Sequence, residues 1–259
     1  MSLTTFHELR NAMNTKVNNF LALGSNYGTF IVNRNCALQA EALVKTGKPH
    51  IQPELDNMLQ LMLQLPDGCV VVDGGANIGL VCIPLAKAVA ARGGLVHAFE
   101  PQRLLNYALC GSIALNDIEN LIVHRSGLAD KKGSMQVPIV DYSQPSDYGM
   151  VQLKPEGAAG GDTVEVIALD DFGLERLDFF KLDIEGMEIQ ALRGAQKLLR
   201  AHQPWCWIEY WMTGAEAIME QFAGLDYEFF KADPLNLLCV PKTRWNREQL
   251  HIPFEAVKA

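Results

Sequence analysis

The sequence predicts an α/β protein built on a Rossmann-like, doubly wound sheet closed by an antiparallel end, and three observations support this prediction. Short apolar runs that suit buried strands alternate along the chain with longer segments of helical periodicity. One such run, residues 69–72, ends at Asp73 and leads into a glycine-rich turn. The next run, residues 95–100, ends at Glu100. A strand, an acidic residue and a glycine turn in this order place a nucleotide-like ligand at the carboxyl end of the first strand.

Residues 1–50 are predicted to form a helical extension ahead of the sheet. Apolar side chains recur at helical spacing over residues 4–23, and a short strand or hairpin arm is expected within residues 24–35. Residues 53–65 form the next predicted helix, because Pro53 is tolerated in a first turn and the apolar residues after it share one face.

The main domain is predicted over residues 51–245, followed by a tail over residues 246–259. The helix predicted after the fourth main strand has Glu185 and Glu188 in its first turn, which suits the helix dipole. In chain order, the elements predicted after the first strand are a helix at 78–92, a strand at 95–100, a helix at 104–115, a strand at 121–125, a strand at 178–183, a helix at 184–200, a strand at 205–211, a helix at 215–222 and a hairpin at 227–231 and 235–240.

A β-rich insertion interrupts this alternation before the fourth main strand. Strands are expected there at residues 134–140, 149–153 and 163–168, separated by polar and glycine-rich segments. Because the insertion lies near the carboxyl ends of the main strands, residues 141–161 are predicted to order over a substrate. A mobile surface loop is the alternative.

Composition argues against several classes of protein. The 259 residues carry a formal net charge of −8 without a Lys/Arg-rich patch, which weighs against a nucleic-acid partner. The six cysteines include no CxxC pair, so a zinc ribbon is not indicated and a reducing compartment is the simplest expectation. The sequence has no signal-peptide pattern and no apolar run of membrane-spanning length, so a cytoplasmic protein without a membrane partner is expected.

A second polar stretch, residues 181–186, follows the fourth predicted strand. In an extended chain alternate side chains face the same way, so Lys181, Asp183 and Glu185 would share a face. Three charges at the end of a buried strand are costly unless they pair, face a ligand or hold a metal. An ion pair with helix capping is the structural alternative, and the position beside the nucleotide site favours a functional role.

The glycine turn fits one of two cofactor patterns better. In a dinucleotide fingerprint, G-x-G-x-x-G, Ala76 would occupy the position of the middle glycine. The S-adenosylmethionine pattern Asp-x-Gly-x-Gly-x-Gly is matched by Asp73, Gly75 and Gly79. Asn77 replaces its middle glycine, so neither pattern is complete.

Several motifs together resemble the FkbM family of methyltransferases. They are Asp-Gly-Gly-Ala-Asn-Ile-Gly at 73–79, Ala-Phe-Glu-Pro at 98–101, Asn116, Ala-Leu-Asp-Asp at 168–171, Lys-Leu-Asp-Ile-Glu-Gly-Met-Glu at 181–188, Leu-Arg-Gly-Ala at 192–195 and Ile-Glu at 208–209. The resemblance covers about residues 50–240, although residues 134–161 offer no match. It implies the class I methyltransferase fold, S-adenosylmethionine as methyl donor and O-methylation of a small-molecule acceptor, often a sugar or natural product. It leaves the acceptor and the oligomeric state open.

The expected cofactor-binding residues gather at the ends of the predicted strands. Glu100 would accept hydrogen bonds from ribose hydroxyls, and the carboxylates nearby suit a cationic cofactor. The full set is Asp73, Gly74, Gly75, Ala76, Asn77, Gly79, Glu100, Pro101, Ser126, Gly127 and Asp183.

The expected catalytic residues are Asp183, Glu185 and Lys181. Because an alcohol loses its proton on methylation, Asp183 or Glu185 is predicted to act as the base, while Lys181 holds the acceptor or tunes a carboxylate. A divalent cation held by Asp183, Glu185 and Glu209 is a less favoured alternative, so no metal site is predicted. The alternative functions are an NAD-dependent oxidoreductase and a non-catalytic adenosyl-binding module.

Overall fold

The computed structural model describes residues 18–158, 160–244 and 254–257. The strands, numbered in chain order, are β1 (Phe20–Ser25), β2 (Gly28–Asn33), β3 (Val70–Gly74), β4 (Leu95–Phe99), β5 (Leu121–His124), β6 (Ser126–Leu128), β7 (Gly133–Pro138), β8 (Lys154–Pro155), β9 (Gly161–Ile167), β10 (Phe179–Leu182), β11 (Trp205–Glu209), β12 (Tyr227–Lys231), β13 (Asn236–Pro241) and β14 (Glu255–Val257). The helices are α1 (Ala37–Thr46), α2 (Gln52–Met62), α3 (Cys82–Ala90), α4 (Arg103–Leu115), α5 (Glu188–Arg193), α6 (Gln196–His202) and α7 (Ala215–Glu220). None of these helices is both long and apolar enough to cross a membrane.

The main sheet has its strands in the order β5, β4, β3, β10, β11, β13, β12 and β14. The five strands from β5 to β11 run parallel, and β13 runs against its neighbours. The chain moves outward from β3 through β4 to β5, and later places β10 on the other side of β3. Ligands bind in such sheets at the carboxyl ends of the strands where this reversal occurs. The predicted Rossmann-like, doubly wound fold is therefore confirmed.

The two faces of the main sheet bury separate cores, because successive strand residues point to opposite sides. Val71 and Phe179 pack on one face with α2, α3 and α4. Val72 and Phe180 pack on the other face with α5, α6 and α7. Helices on both faces cover the sheet, so the strand ends are left to form a site.

The extension differs from its prediction at its start. A helix was predicted at 4–23, and its residues up to 17 lie outside the described residues. The prediction is wrong for residues 20–23, which belong to β1. β1 and β2 form an antiparallel hairpin that pairs Phe20 with Asn33. This cross-strand pairing overrides the helical spacing of the apolar residues. The hairpin arm predicted within residues 24–35 is confirmed by β2.

Helix α4 fastens this hairpin to the main domain. The Ile31 N–H donates a hydrogen bond to Ser112 Oγ at 2.8 Å. Thr29 donates its N–H to the Asn116 side chain and accepts a hydrogen bond from the same side chain at its carbonyl. Leu43 of α1 and Leu55 of α2 lie in the same core as α3 and α4. The segment ahead of β3 is therefore packed onto the sheet.

The insertion forms a second sheet in the order β6, β9, β7 and β8. The strands predicted at 134–140 and 163–168 are confirmed as β7 and β9. The strand predicted at 149–153 is wrong, because a 3₁₀ turn occupies Tyr148–Met150. The Asp147 carboxylate accepts a hydrogen bond from the Gly149 N–H and so stabilises this turn.

The long helix predicted at 184–200 is divided into α5 and α6. Glu185 lies ahead of both in a left-handed conformation with φ of 57°, so its predicted place in a first helical turn is wrong. Buried Glu188 accepts hydrogen bonds from the N–H groups of Ile184 and Gly186. These hydrogen bonds satisfy two N–H groups of the turn in the absence of a helix. They hold the chain that follows β10 at the strand ends.

Candidate active site

The glycine turn after β3 closely approaches the chain after β10. Gly75 has φ of 79°, and a Cβ atom placed there would lie 1.8 Å from the Asp183 carbonyl oxygen, so only glycine allows this approach. Asn77 and Gly79 also have positive φ, 50° and 94°. Because of these conformations, α3 begins at Cys82, later than predicted. The turn therefore presents its backbone at the strand ends before the helix starts.

Glu100 follows β4 and is buried beside this turn. Its Oε2 accepts a hydrogen bond from the Asn77 N–H at 2.8 Å, and its Oε1 accepts one from the Gln102 N–H at 2.7 Å. Burial raises the pKa of Glu100 to about 7, although the two hydrogen bonds oppose this shift. Each oxygen keeps a second lone pair, so the carboxylate can also accept hydrogen bonds from a ligand.

Lys181 lies next to Asp73 in the register of the parallel strands β10 and β3. Its Nζ is 3.1 Å from Asp73 Oδ1 and 3.6 Å from Asp183 Oδ2. Lys181 is 5% exposed and Asp73 is fully buried. Burial alone lowers the pKa of Lys181, but the carboxylates of Asp73 and Asp183 outweigh burial and raise it. Lys181 therefore stays positively charged and ties β3 to the loop that carries Asp183.

Asp183, Glu185 and Glu209 form an acidic cluster at the ends of β10 and β11. One carboxylate oxygen from each residue lies within 4.8 Å of the other two. Burial, together with the charge of Asp183, raises the pKa of Glu185 to about 7 and that of Glu209 to about 8. Oxygens at this spacing suit either proton transfer or a hard divalent cation. The arrangement is therefore compatible with the predicted carboxylate base and with the less favoured cation site.

Two neighbouring cavities lie at these strand ends. The large cavity has a volume of about 520 Å³ and is lined by the acidic cluster and Lys181. The small cavity has a volume of about 40 Å³ and extends toward β6. The residues that line both are Gly75, Glu100, Gly149, Asp183 and Glu185. The two cavities therefore share a wall.

Most of the predicted site residues line one of these cavities. Besides the shared residues, Ala76, Asn77, Lys181 and Glu209 line the large cavity, and Pro101, Ser126 and Gly127 line the small one. Asp73, Gly74 and Gly79 line neither cavity. Asp73 pairs with Lys181 instead, and direct contact of these three residues with a cofactor stays a prediction.

The sequence analysis does not single out six polar or aromatic residues that also line the large cavity. They are Gln39, His50, Glu54, Asp147, Trp211 and Asn236. Burial lowers the pKa of His50 and raises that of Glu54 to about 7. Glu54 lies in the first turn of α2, where an acidic residue is already explained by the helix dipole. No local pattern marks these residues, since only the packing of separate segments brings them to one cavity.

The part of the chain that forms most of this site matches known methyltransferases. The family model for the methyltransferase FkbM domain matches residues 73–232. Methyltransferase sdnD of Sordaria araneosa is 27% identical over 168 residues, 51% of this chain and 62% of that protein, so the match spans less than two thirds of the relative.

Solved structures of methyltransferases are also similar to this chain. Methyltransferase FkbM from Methylobacillus flagellatus KT has 20% sequence identity and a TM-score of 0.49, over 68% of this chain and 44% of that chain. An S-adenosylmethionine-dependent O-methyltransferase from Thermotoga maritima has 12% identity and a TM-score of 0.45, over 88% of this chain and 79% of that chain. Because the family model covers more than half of its length, the chain belongs to the FkbM methyltransferase domain family.

Proposed function

We propose that this protein is an S-adenosylmethionine-dependent methyltransferase that methylates a hydroxyl group of a small-molecule acceptor, such as a sugar or another natural product. The observation that supports this most is the wall shared by the two cavities, which includes Gly75, Glu100 and Asp183. A donor along the glycine turn and an acceptor in the large cavity would both reach Asp183. Family membership supports methyl transfer, and the net charge of −8 favours an acceptor other than a nucleic acid.

The residues around the small cavity fit an adenosyl group. Glu100 offers carboxylate lone pairs to ribose hydroxyls, while Leu128 and Met187 supply apolar walls for a base. The cavity is smaller than the roughly 300–1,000 Å³ of most ligand sites. Val151 and Leu153 of the insertion, which also line it, would move outward to admit the ligand. The excess of carboxylates nearby suits a positively charged cofactor.

Bound S-adenosylmethionine would supply a methyl group on a positively charged sulfur. The task of the chain itself is to align the acceptor and to take its proton. A carboxylate oxygen of Asp183 or Glu185 accepts the proton of the hydroxyl. Lys181, whose Nζ is 3.6 Å from Asp183 Oδ2, holds that carboxylate at the cavity wall.

The other functions are less well supported. A nicotinamide-dependent oxidoreductase is disfavoured by family membership and by Ala76 in place of a glycine. A non-catalytic adenosyl-binding module would not need Lys181, Asp183 and Glu185 together around the large cavity. All six cysteines are free thiols, which supports a reducing, cytoplasmic setting for the proposed enzyme.

Calorimetry with S-adenosylmethionine, S-adenosylhomocysteine and NAD⁺ tests the cofactor assignment. We expect the two adenosyl ligands to bind and NAD⁺ to bind more weakly than either. Tighter binding of NAD⁺ would contradict the proposal. With an acceptor in hand, EDTA decides the role of the acidic cluster: activity lost on chelation and restored by Mg²⁺ indicates a cation site, and unchanged activity supports a carboxylate base.

A further inference from the structure

Four apolar side chains form a rim around the large cavity. Leu38, Met150, Trp211 and Leu235 line the cavity, yet each exposes between 46% and 55% of its surface. Side chains that line a cavity and remain half exposed lie at its opening. They come from four separate segments, namely α1, the 3₁₀ turn of the insertion, the loop after β11 and the turn between β12 and β13.

The interior of the same cavity carries polar groups among buried apolar ones. Lys181, Gln39 and Asn236 line it and are each more than nine-tenths buried. The acidic cluster adds three carboxyl groups to the same wall. The large cavity therefore combines hydrogen-bonding and acidic groups inside with an opening where four apolar side chains lie beside the exposed Asp147.

Half-exposed apolar side chains gathered around the opening of a cleft commonly mark a binding site. Ala76 and Asn77 also line the large cavity, so under the proposed function the cofactor takes part of its 520 Å³. The remaining volume suits the reacting end of an acceptor, and the body of a larger acceptor would lie against the rim.

We propose that the methyl acceptor is an amphipathic molecule, with an uncharged hydroxyl-bearing end against the polar interior and an apolar body covered by Leu38, Met150, Trp211 and Leu235. This inference rests on the proposed function, since it takes the large cavity as the acceptor site. The three carboxyl groups of the acidic cluster disfavour an anionic reacting end. A free, fully polar sugar would leave the rim exposed and is therefore a poorer acceptor.

Three probes of matched chemistry test this inference by calorimetry on the full chain saturated with S-adenosylhomocysteine. Methyl β-D-glucoside and octyl β-D-glucoside share a hydroxyl-bearing end and differ only in apolar length. Octyl sulfate keeps the apolar chain and replaces the sugar with an anion. Each buried methylene raises affinity about fourfold, so octyl glucoside, used below its micelle concentration, is expected to bind at least tenfold more tightly than methyl glucoside and than octyl sulfate.

Substitutions in the rim test whether the preference for the octyl chain depends on the rim side chains. Trp211→Ser and Leu38→Ser should each reduce the preference for octyl over methyl glucoside severalfold. Val44→Ser is the matched control, because Val44 lies on α1 with Leu38, is 70% exposed and lines neither cavity. Its preference should equal that of the wild type. Melting temperatures of all three variants confirm that they are folded.

Several results would overturn the inference. Equal affinities for the two glucosides, no binding of either, or octyl sulfate binding as tightly as octyl glucoside would each do so. A wild-type dimer in sedimentation that Trp211→Ser converts to a monomer would assign the rim to a second copy of the chain. If S-adenosylhomocysteine itself does not bind, the proposed function fails, and the three probes are then compared on the unliganded protein to judge the rim separately.

Discussion

Apart from Lys181 and the acidic cluster, the large cavity has two walls that are built in different ways. The turn-side wall consists of Gly75, Ala76, Asn77 and Glu100, which follow β3 and β4 directly. The opposite wall is made by residues 38–54, the 3₁₀ turn of the insertion, and the loops after β11 and β12. The first wall comes from two neighbouring strands, and the second comes from four segments that are distant in the sequence.

This difference has a physical origin and a functional consequence. The carboxyl ends of parallel strands meet at one edge of a sheet, so residues that end such strands converge whatever the surrounding segments do. Loops and extensions have no such constraint and depend on how each segment packs. We therefore expect changes in the turn-side wall to affect the cofactor, and changes in the opposite wall to affect the acceptor. Asp183 lies on the wall that the two cavities share.

The largest expected effect is at this shared position. Asp183→Asn preserves shape and removes the proton acceptor, so the single-turnover rate with the acceptor used by the wild type should fall by about 10²–10⁴-fold. Affinity for S-adenosylhomocysteine and melting temperature should stay nearly unchanged. Asp130→Asn, at an exposed position away from both cavities, is the control and should keep the wild-type rate. A stable Asp183→Asn enzyme with the wild-type rate would end the catalytic assignment.

Lys181→Met tests how firmly β3 is tied to the loop that carries Asp183. It leaves the Asp73 carboxylate buried without its partner, so the free energy of unfolding should fall by about 3–5 kcal/mol in urea titrations. The control is Lys197→Met, which removes an exposed ion pair with Asp171 and should cost less than about 1 kcal/mol. Adding Asp73→Asn to Lys181→Met should restore part of the loss. Equal losses for the two lysine variants would show that the buried pair is not structurally important.

Glu100→Ala sharpens the assignment of the turn-side wall. Loss of the carboxylate should weaken S-adenosylhomocysteine binding by about 1–3 kcal/mol, measured by calorimetry, because ribose hydroxyls lose their acceptor. The Asn77 N–H loses its acceptor as well, so the melting temperature is measured in parallel. Glu119→Ala, on an exposed loop, is the control. A folded Glu100→Ala protein with unchanged affinity would contradict the ribose assignment.

The smallest expected effect concerns pH and the acidic cluster. Because the pKa of Glu209 is about 8 in the folded protein and 4.5 in a reference carboxyl group, the folded state binds more protons between these values. Stability should therefore fall as the pH rises from 5 to 8.5. Glu209→Gln should remove part of this fall and raise the melting temperature at pH 8.5 by about 2–4 °C, the shift that roughly 1 kcal/mol produces. At pH 5 it should have little effect.

The exposed Glu220→Gln is the matched control for this pH experiment and should leave the pH dependence unchanged. If melting temperature falls with pH equally steeply in the wild type and in Glu209→Gln, ionisation of Glu209 does not destabilise the folded protein. A similar result would follow if a bound cation already neutralised the cluster, and repeating the titration with EDTA separates the two cases.

Local sequence patterns correctly predicted the main sheet and the positions of the glycine turn and Glu100 at the strand ends. Apolar runs such as 69–72 are buried strands because parallel strands covered on both faces need no polar side. Gly75 and Glu100 were predicted at the strand ends because a glycine turn and a terminal acid are local signals that adjacent residues carry.

Only the tertiary structure determined the remaining features. The apolar residues at 20–23 suit a helix by spacing, but pairing with β2 makes them a strand. Glu185 was predicted on one face of an extended strand with Lys181, whereas a left-handed turn stabilised by buried Glu188 carries it to Glu209. His50 and Trp211 reach the large cavity because segments that are far apart in the sequence pack together. Secondary structure and strand ends follow from short-range periodicity, whereas long-range packing, which local sequence does not encode, decides which distant side chains meet.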